Sequence, residues 1–245
     1  LYTTLFAGGH YRVLPQALLG FGQTFVPDFR KLESALREGQ ANSAILVPEL
    51  LRGLLRTLAP RGRPLPDMKL LAVGGAHVAP ALLSQADALG LPVYQGYGLS
   101  EAGSVVALNT PLHNQQGSVG RLLEHVRLTV SDDGELCLAE PGFLGYAGGD
   151  PAPLHYGTGD LGWLDAAGFL HLAGRKSNVL ITAFGRNVSP EWVESELTAE
   201  PQIAQACAFG DSAPALGALV VPAGESVTDA DLDQAVGADL RHLVL

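Results

Sequence analysis

Along residues 23–99, short runs rich in apolar and β-branched side chains alternate with longer stretches in which apolar positions recur every three or four residues. That alternation predicts strand–helix–strand units and a mainly parallel sheet. Gln23, Thr24, Phe25 and Val26 predict a strand, and 29–40 a helix with Leu32, Ala35 and Leu36 on one face and Gly39 at its stop. Residues 43–47 predict the next strand. Pro48 then opens a helix whose Leu50, Leu51, Leu54, Leu55 and Leu58 form a core stripe. A loop rich in proline and glycine at 59–66, a strand at 70–73, a helix at 80–89 and a strand at 93–97 complete the series.

Beyond Gly103 the periods shorten. Residues 104–108, 126–130 and 135–138 read as strands, the last two joined by a turn at 131–134. The stretch 140–159, dense in proline and glycine, reads as loop. Hairpins follow at 162–172, around Asp165 and Gly168, and at 179–188, around Phe184 and Gly185. Ser189, Pro190 and Glu191 supply an N-cap, a first-turn proline and a first-turn acid for a helix to about Thr198. Strands at 204–209 and 216–221 and a closing helix from 229 to about 243 end the chain. The expected fold class is α/β: a parallel α/β layer (1–104), a small antiparallel β-barrel or sheet (105–175) and the beginning of an α+β C-terminal domain (176–245).

Composition narrows the chemistry. The 245-residue chain carries a formal charge of -10 with a pI near 5.0, which argues against a nucleic-acid groove or an anionic-membrane surface. Only 16% of residues are charged and 47% are apolar, so the chain either buries a great deal or presents faces that another segment covers. Lysine occurs only at 31, 69 and 176. Cys137 and Cys207 lack zinc or disulfide spacing, which predicts free thiols in a reducing cytoplasm. No 18-residue apolar run or signal sequence is visible, and the start at Leu1 suggests an excised piece.

Two constellations carry chemistry. Tyr94, Gln95, Gly96, Tyr97, Gly98, Leu99, Ser100, Glu101, Ala102 and Gly103 leave a predicted strand. In that run glycine admits close approach to a phosphate, Ser100 can donate to phosphate oxygen, Glu101 is a hard ligand of the kind magnesium takes, and Tyr97 offers a flat face. A strand-to-loop turn with a solvated Glu101 uses the same residues. The second runs from Tyr156 to Trp163 through Asp160, then on to Gly174, Arg175, Lys176, Ser177 and Asn178. An Asp on such a turn can accept both hydroxyls of a ribose, and a following Arg can donate to the sugar or to phosphate. A competing reading is a serine hydrolase with Ser100 as nucleophile and Asp160 and His171 as partners, because residues 98–102 nearly match a nucleophile elbow. Trp163 and Trp192 read as packing anchors. Asp229, Asp231 and Asp233 read as a solvated helix start and not a calcium loop.

Together, the stretches 97–101, 134–146, 156–160, 168–175 and 185–194 resemble the adenylate-forming superfamily of acyl- and aryl-CoA synthetases, luciferases and peptide-synthetase adenylation domains. The resemblance implies an acid–thiol ligase: a carboxylic acid and ATP give acyl-AMP and pyrophosphate, and CoA or a carrier-protein thiol then takes the acyl group. It implies that Ser100 contacts phosphate, Glu101 holds Mg2+, and Tyr97 stacks on adenine beside Gly74, Gly75 and Ala76, within the strand carrying Gln95, Gly96 and Gly98. Asp160 and Arg175 would bind ribose, and Ser177 would occupy the hinge of a mobile C-terminal lid.

The sequence departs from that pattern in three ways. No Ser/Thr/Gly/Lys phosphate loop is present, no lysine follows Lys176, and Ser177 replaces the usual Asp or Lys of the hinge. The expected reading is therefore a chain truncated at both ends. The alternative is a non-catalytic adenylation-like binding module. The resemblance implies that amino-acid-activating members carry an Asp near the equivalent of Phe6, Ala7, Gly8, Gly9 and His10. No carboxylate lies there, which favours an acid without an α-ammonium, and the stretch 174–190 is most similar to medium- or long-chain fatty acyl-CoA synthetases. Gly8, Gly9 and His10 are candidates for the acyl pocket, set against a purely structural role for His10. Homo-oligomerisation is left open.

Overall fold

The computed structural model describes residues 2–22, 27–62 and 65–240. The strand expected at 23–26 and the helix end expected at 241–243 lie outside the described residues. A short helix α1 (Tyr2–Phe6) precedes α2 (Phe29–Glu38), which starts where the Asp28 carboxylate accepts the backbone N–H groups of Arg30 at 3.1 Å and Lys31 at 3.4 Å. Strand β1 (Ser43–Leu46) leads into α3 (Pro48–Leu58), pre-set by Pro48 in its first turn.

In α3 the leucine stripe behaves as its period predicts. Leu51, Leu54, Leu55 and Leu58 are all but fully buried, and Leu50 packs at the margin of the same core. Gly53 interrupts the stripe for a steric reason. A Cβ there would lie 2.1 Å from the Phe29 ring, so the helix accepts a glycine costing about 1 kcal/mol to let α2 close on it. Buried Glu33 of α2 is compensated by Arg37 at 2.9 Å and by Arg61.

Strands β2 (Leu70–Val73) and β3 (Val93–Tyr97) extend β1 in parallel, with Ser43 opposite Leu70 and Leu71 opposite Val93. Helix α4 (Pro80–Ala88) makes the second crossover, and its Leu82 and Ala86 join the α3 leucines, Leu46, Leu71 and Val73 in one core. The opposite face of β1 is open, with Ile45 85% exposed. Strands β4 (Ala107–Leu108) and β5 (Arg121–Leu122) add antiparallel edges to this five-stranded sheet. The strand expected from 104 starts later, because Ser104 turns through a positive φ of 109° before the chain becomes extended.

A four-stranded antiparallel meander follows: β6 (Arg127–Val130), β7 (Glu135–Ala139), β8 (His155–Leu164) and β9 (Leu170–Arg175). The expected loop at 140–159 therefore ends early. Residues 155–159 are strand, since pairing of His155 with Ala139 and Tyr156 with Leu138 overrides their glycine-rich composition. Leu136, Leu138 and Leu170 pack with Tyr97, Val106, Ala107 and Val119, so this sheet shares a core with the end of the first.

The C-terminal part comprises a small hairpin β10 (Leu180–Ile181) and β11 (Asn187–Val188), helix α5 (Pro190–Ala199), the antiparallel pair β12 (Ile203–Phe209) and β13 (Gly217–Pro222), and α6 (Asp229–Leu240). Ser189 Oγ caps α5 by accepting the Trp192 N–H at 3.3 Å. Asp231 accepts the Thr228 N–H at 2.9 Å at the start of α6, as a helix-starting acid does, and among the described residues no group of His, Cys, Asp and Glu is arranged to hold a metal ion. Among the described residues no helix is long and apolar enough to cross a membrane.

Leu54→Ala removes a side chain with no exposed surface from the α3 core. It is expected to lower the unfolding free energy by about 3 kcal/mol in urea titration, with an unchanged slope.

Candidate active site

Where β2 and β3 end, the chain turns across the edge of the first sheet and meets β8, β9 and α5 around a cavity of about 880 Å3. The sequence-predicted Gly75, Ala76, Gln95, Gly96, Tyr97, Gly98, Asp160 and Arg175 all line it. Gly74, Ser100, Glu101 and Ser177 do not. Gly98 is required by the protein's own backbone, because a Cβ there would fall 1.6 Å from the Ser104 carbonyl oxygen as the chain doubles back.

Asp160 is anchored on the cavity wall by two side chains. The β8–β9 register sets it directly opposite Arg175, whose Nε lies 3.0 Å from Oδ1, while Arg175 Nη1 donates to the Thr158 carbonyl at 3.1 Å. Oδ2 accepts the Tyr97 hydroxyl at 2.6 Å. Each carboxylate oxygen keeps a further lone pair for a ligand. Burial, followed by the donated bond to Asp160, pushes the Tyr97 hydroxyl well above the usual tyrosine range, so it stays a donor at all physiological pH.

Glu101 lies on the surface just outside the cavity. Its Oε1 accepts the Tyr146 hydroxyl at 2.6 Å, Tyr146 lies 3.0 Å from the Tyr156 hydroxyl, and Phe143 packs edge-on against both rings. The Tyr146 bond holds the Glu101 carboxyl below the usual carboxylate range. A half-buried, ionised carboxylate fits the single hard oxygen that magnesium takes from a protein when phosphates and water complete its shell.

The relay of the competing hydrolase reading is not assembled. His171 Nε2 sits 3.0 Å from Asp165, its Nδ1 3.1 Å from the Gly117 carbonyl, and its ring stacks on Trp163, while Asp160 is engaged by Tyr97 and Arg175. Trp163 is thus half exposed, anchored on one ring face. Gly8, Gly9 and His10 are exposed and do not line this cavity.

Other residues of the cavity escaped the sequence reading. His77, immediately after Ala76, has a buried Nε2 with no hydrogen-bond partner, and burial lowers its pKa, favouring the neutral ring. Helix α5 contributes Glu191, Trp192, Glu194, Ser195 and Thr198. Burial pushes the Glu191 carboxyl up, but donors from Asn178 at 2.6 Å, its own backbone and Ser189 at 2.8 Å outweigh it. Trp192, expected only as an anchor, packs on the C-terminal core and also faces the cavity. The signal for these was present: His77 directly continues the Gly74–Gly75–Ala76 run, and Glu191 and Trp192 lie in the last of the five matching stretches.

Ser177, the expected hinge, is exposed and donates to Asn178 Oδ1 at 2.9 Å. The preceding Lys176 is clamped by Asp133 at 2.6 Å and Glu135 at 2.8 Å. Lys176 holds the Asp133 carboxyl at about 2, below its ordinary 3.8. A depressed carboxylate pKa favours the folded state above the ordinary value, and that contribution disappears as pH falls toward about 2. Lys176→Met should return Asp133 toward 3.8, read as a shifted midpoint in its carboxyl 13C titration, and should reduce the gain in stability between pH 2 and 5.

Comparison with known proteins agrees with this geometry. Residues 3–147 match the family model of the AMP-binding enzymes, and residues 177–243 that of the AMP-binding enzyme C-terminal domain. A long-chain-fatty-acid–CoA ligase, FadD15, from Mycobacterium bovis is 39% identical over 155 residues, covering 60% of this chain and 26% of the relative. A 2-succinylbenzoate–CoA ligase from Lactococcus lactis is 31% identical over 190 residues, covering 74% of this chain and 41% of the relative. The crystal structure of the anthranilate CoA ligase AuaEII, in complex with anthranoyl-AMP, has the same fold, with a TM-score of 0.75 at 20% identity over 88% of this chain and 47% of that one. The chain thus spans less than half the length of these relatives. With one family model covering more than half of its residues and a second covering the part beyond Lys176, the chain belongs to the AMP-binding enzyme family.

Proposed function

We propose that this chain carries the nucleotide-binding wall and the start of the lid of an acyl-CoA ligase. The whole reaction joins a carboxylic acid to the α-phosphate of ATP, releasing pyrophosphate, and then transfers the acyl group from AMP to the thiol of CoA or a carrier protein, releasing AMP. The observation that carries this reading is Asp160, fixed between Tyr97 and Arg175 on the wall of a cavity that α5 closes. Family membership and the CoA-ligase relatives support it.

In this reading the free lone pairs of Asp160 accept the ribose hydroxyls. Arg175 keeps the carboxylate oriented, and the Tyr97 ring packs against adenine beside Gly75 and Ala76. Gln95, Gly96 and Gly98 line the base end, with Gly74 shaping the turn behind. Ser100 donates to the α-phosphate. Glu101 would hold magnesium, which when bound neutralises and orients phosphate oxygens. Tyr146 keeps that carboxylate charged and limits its rotation. Ser177 is the pivot of the C-terminal domain, which places that domain's boundary at 175.

A fatty acid is the favoured substrate class, supported by the similarity to the fatty-acid ligase, while the absence of a carboxylate at 6–10 supports an acid without an α-ammonium. A reducing cytoplasmic setting is consistent with the free thiols Cys137 and Cys207.

Calorimetry with millimolar AMP should give a measurable heat with the folded chain, and Asp160→Asn should weaken it about tenfold, the scale of one hydrogen bond to a charged group. No heat from the folded parent defeats the nucleotide reading. Glu101→Gln should abolish only the magnesium-dependent part of ATP binding; equal loss with and without magnesium removes Glu101 from that role.

A further inference from the structure

Helix α5 forms one wall of the cavity, yet its residues lie far along the chain from the layer they face. Near its C-terminal end it is held by a group that the nucleotide reading does not use. Arg56, on α3, points its Nη2 at the carbonyl oxygens of Glu200, at 3.1 Å, and Ile203, at 3.4 Å. Glu200 is the residue at which α5 stops, so its carbonyl lies at the negative pole of the helix, where a cation is favoured. Ile203 opens β12, so one guanidinium spans the turn from helix to strand. Ala199, the last residue of α5, packs against the α3–α4 core beside it. α5 also lies against α4 and β9.

At its other end α5 is tied locally, through Asn178 to Glu191 and through the Ser189 cap. These bonds stay within the C-terminal part and do not fasten it to the parallel layer. Arg56 does. Arg56 is exposed overall, with only its bond to Ile203 part-buried, and the Glu200 carbonyl also accepts the Ile203 N–H at 3.1 Å. A shorter or neutral side chain therefore removes the one donor that reaches this turn from α3 rather than every partner of its carbonyls.

We propose that Arg56 is a positioning residue that docks the C-terminal end of α5 on the parallel layer, and thereby sets the cavity wall made by Glu191, Trp192, Glu194 and Ser195. Its effect on ligand binding rests on the reading of the cavity as the nucleotide site; the docking itself does not.

The test reads the docking first. The chain has two tryptophans, so Trp163→Phe leaves Trp192, on the cavity face of α5, as the single indole reporter. In that background Arg56→Ala should raise the acrylamide quenching constant of Trp192 at least twofold. It should also speed amide hydrogen exchange in 190–203 while leaving exchange in 48–58 unchanged. Arg56→Lys, which keeps one charge but loses the planar fork, should fall between parent and alanine. If Arg56→Ala does not fold, Arg56→Gln is read in the same way. A folded alanine or glutamine variant with parental Trp192 quenching and parental exchange in 190–203 overturns the proposal. Looser docking with AMP affinity unchanged upholds Arg56 as the docking group and counts against α5 as a nucleotide wall. Looser docking with weaker AMP binding upholds both.

Discussion

A single hydrogen bond, from the Tyr97 hydroxyl to Asp160, joins the last parallel strand to the antiparallel meander at the point where both open on the cavity. It is short, half enclosed and made to a charged acceptor, the combination that gives a hydrogen bond most of its strength. Much of the site follows from it. Tyr97 must end β3 to reach β8, so Gly98 must turn at once against Ser104. The β8–β9 register must be the one that sets Arg175 opposite Asp160, since a slip of one residue would send the guanidinium to the other face of the sheet. The shared core of Tyr97, Val106, Leu136 and Leu170 holds the two sheets at the spacing that bond requires.

The parallel layer was readable in the sequence because its elements obey one period each. The α3 leucines and the alternating Leu71 and Val73 can be buried in only one way, and they are. The meander was read less well where local composition and pairing disagree: glycine and proline around 155–159 argue for loop, while the ladder to β7 makes them strand, an energy that no short window contains. The same limit applies to the site. Asp160 and Arg175 are fifteen positions apart and could be coupled by motif order, but Tyr97 meets Asp160 across 63 positions, and only the fold brings the two together. His77 is not legible in the sequence because its significance is an unpaired buried nitrogen, a property of its surroundings. Conversely, Gly8, Gly9 and His10 looked suggestive only by adjacency and are exposed.

The low charge of the chain also acquires a location. A chain with 16% charged residues has to put apolar side chains somewhere, and part of the answer is the uncovered face of the first sheet and the loop beyond it, where Ile45, Leu112 and Leu144 stand almost wholly exposed. A parallel sheet is ordinarily covered on both faces. The helices α3 and α4 cover only one, so the low charge of the sequence reflects a layer with half its cladding in view.

The clamp on Lys176 has a chemical corollary. Two carboxylates hold this amine as an ammonium far more firmly than water does, and an ammonium has no lone pair with which to attack a carbonyl. Each unit by which its pKa rises cuts the neutral fraction tenfold. In a chain with only three lysines, this one is thus withheld from nucleophilic chemistry and kept as a fixed cation immediately after Arg175.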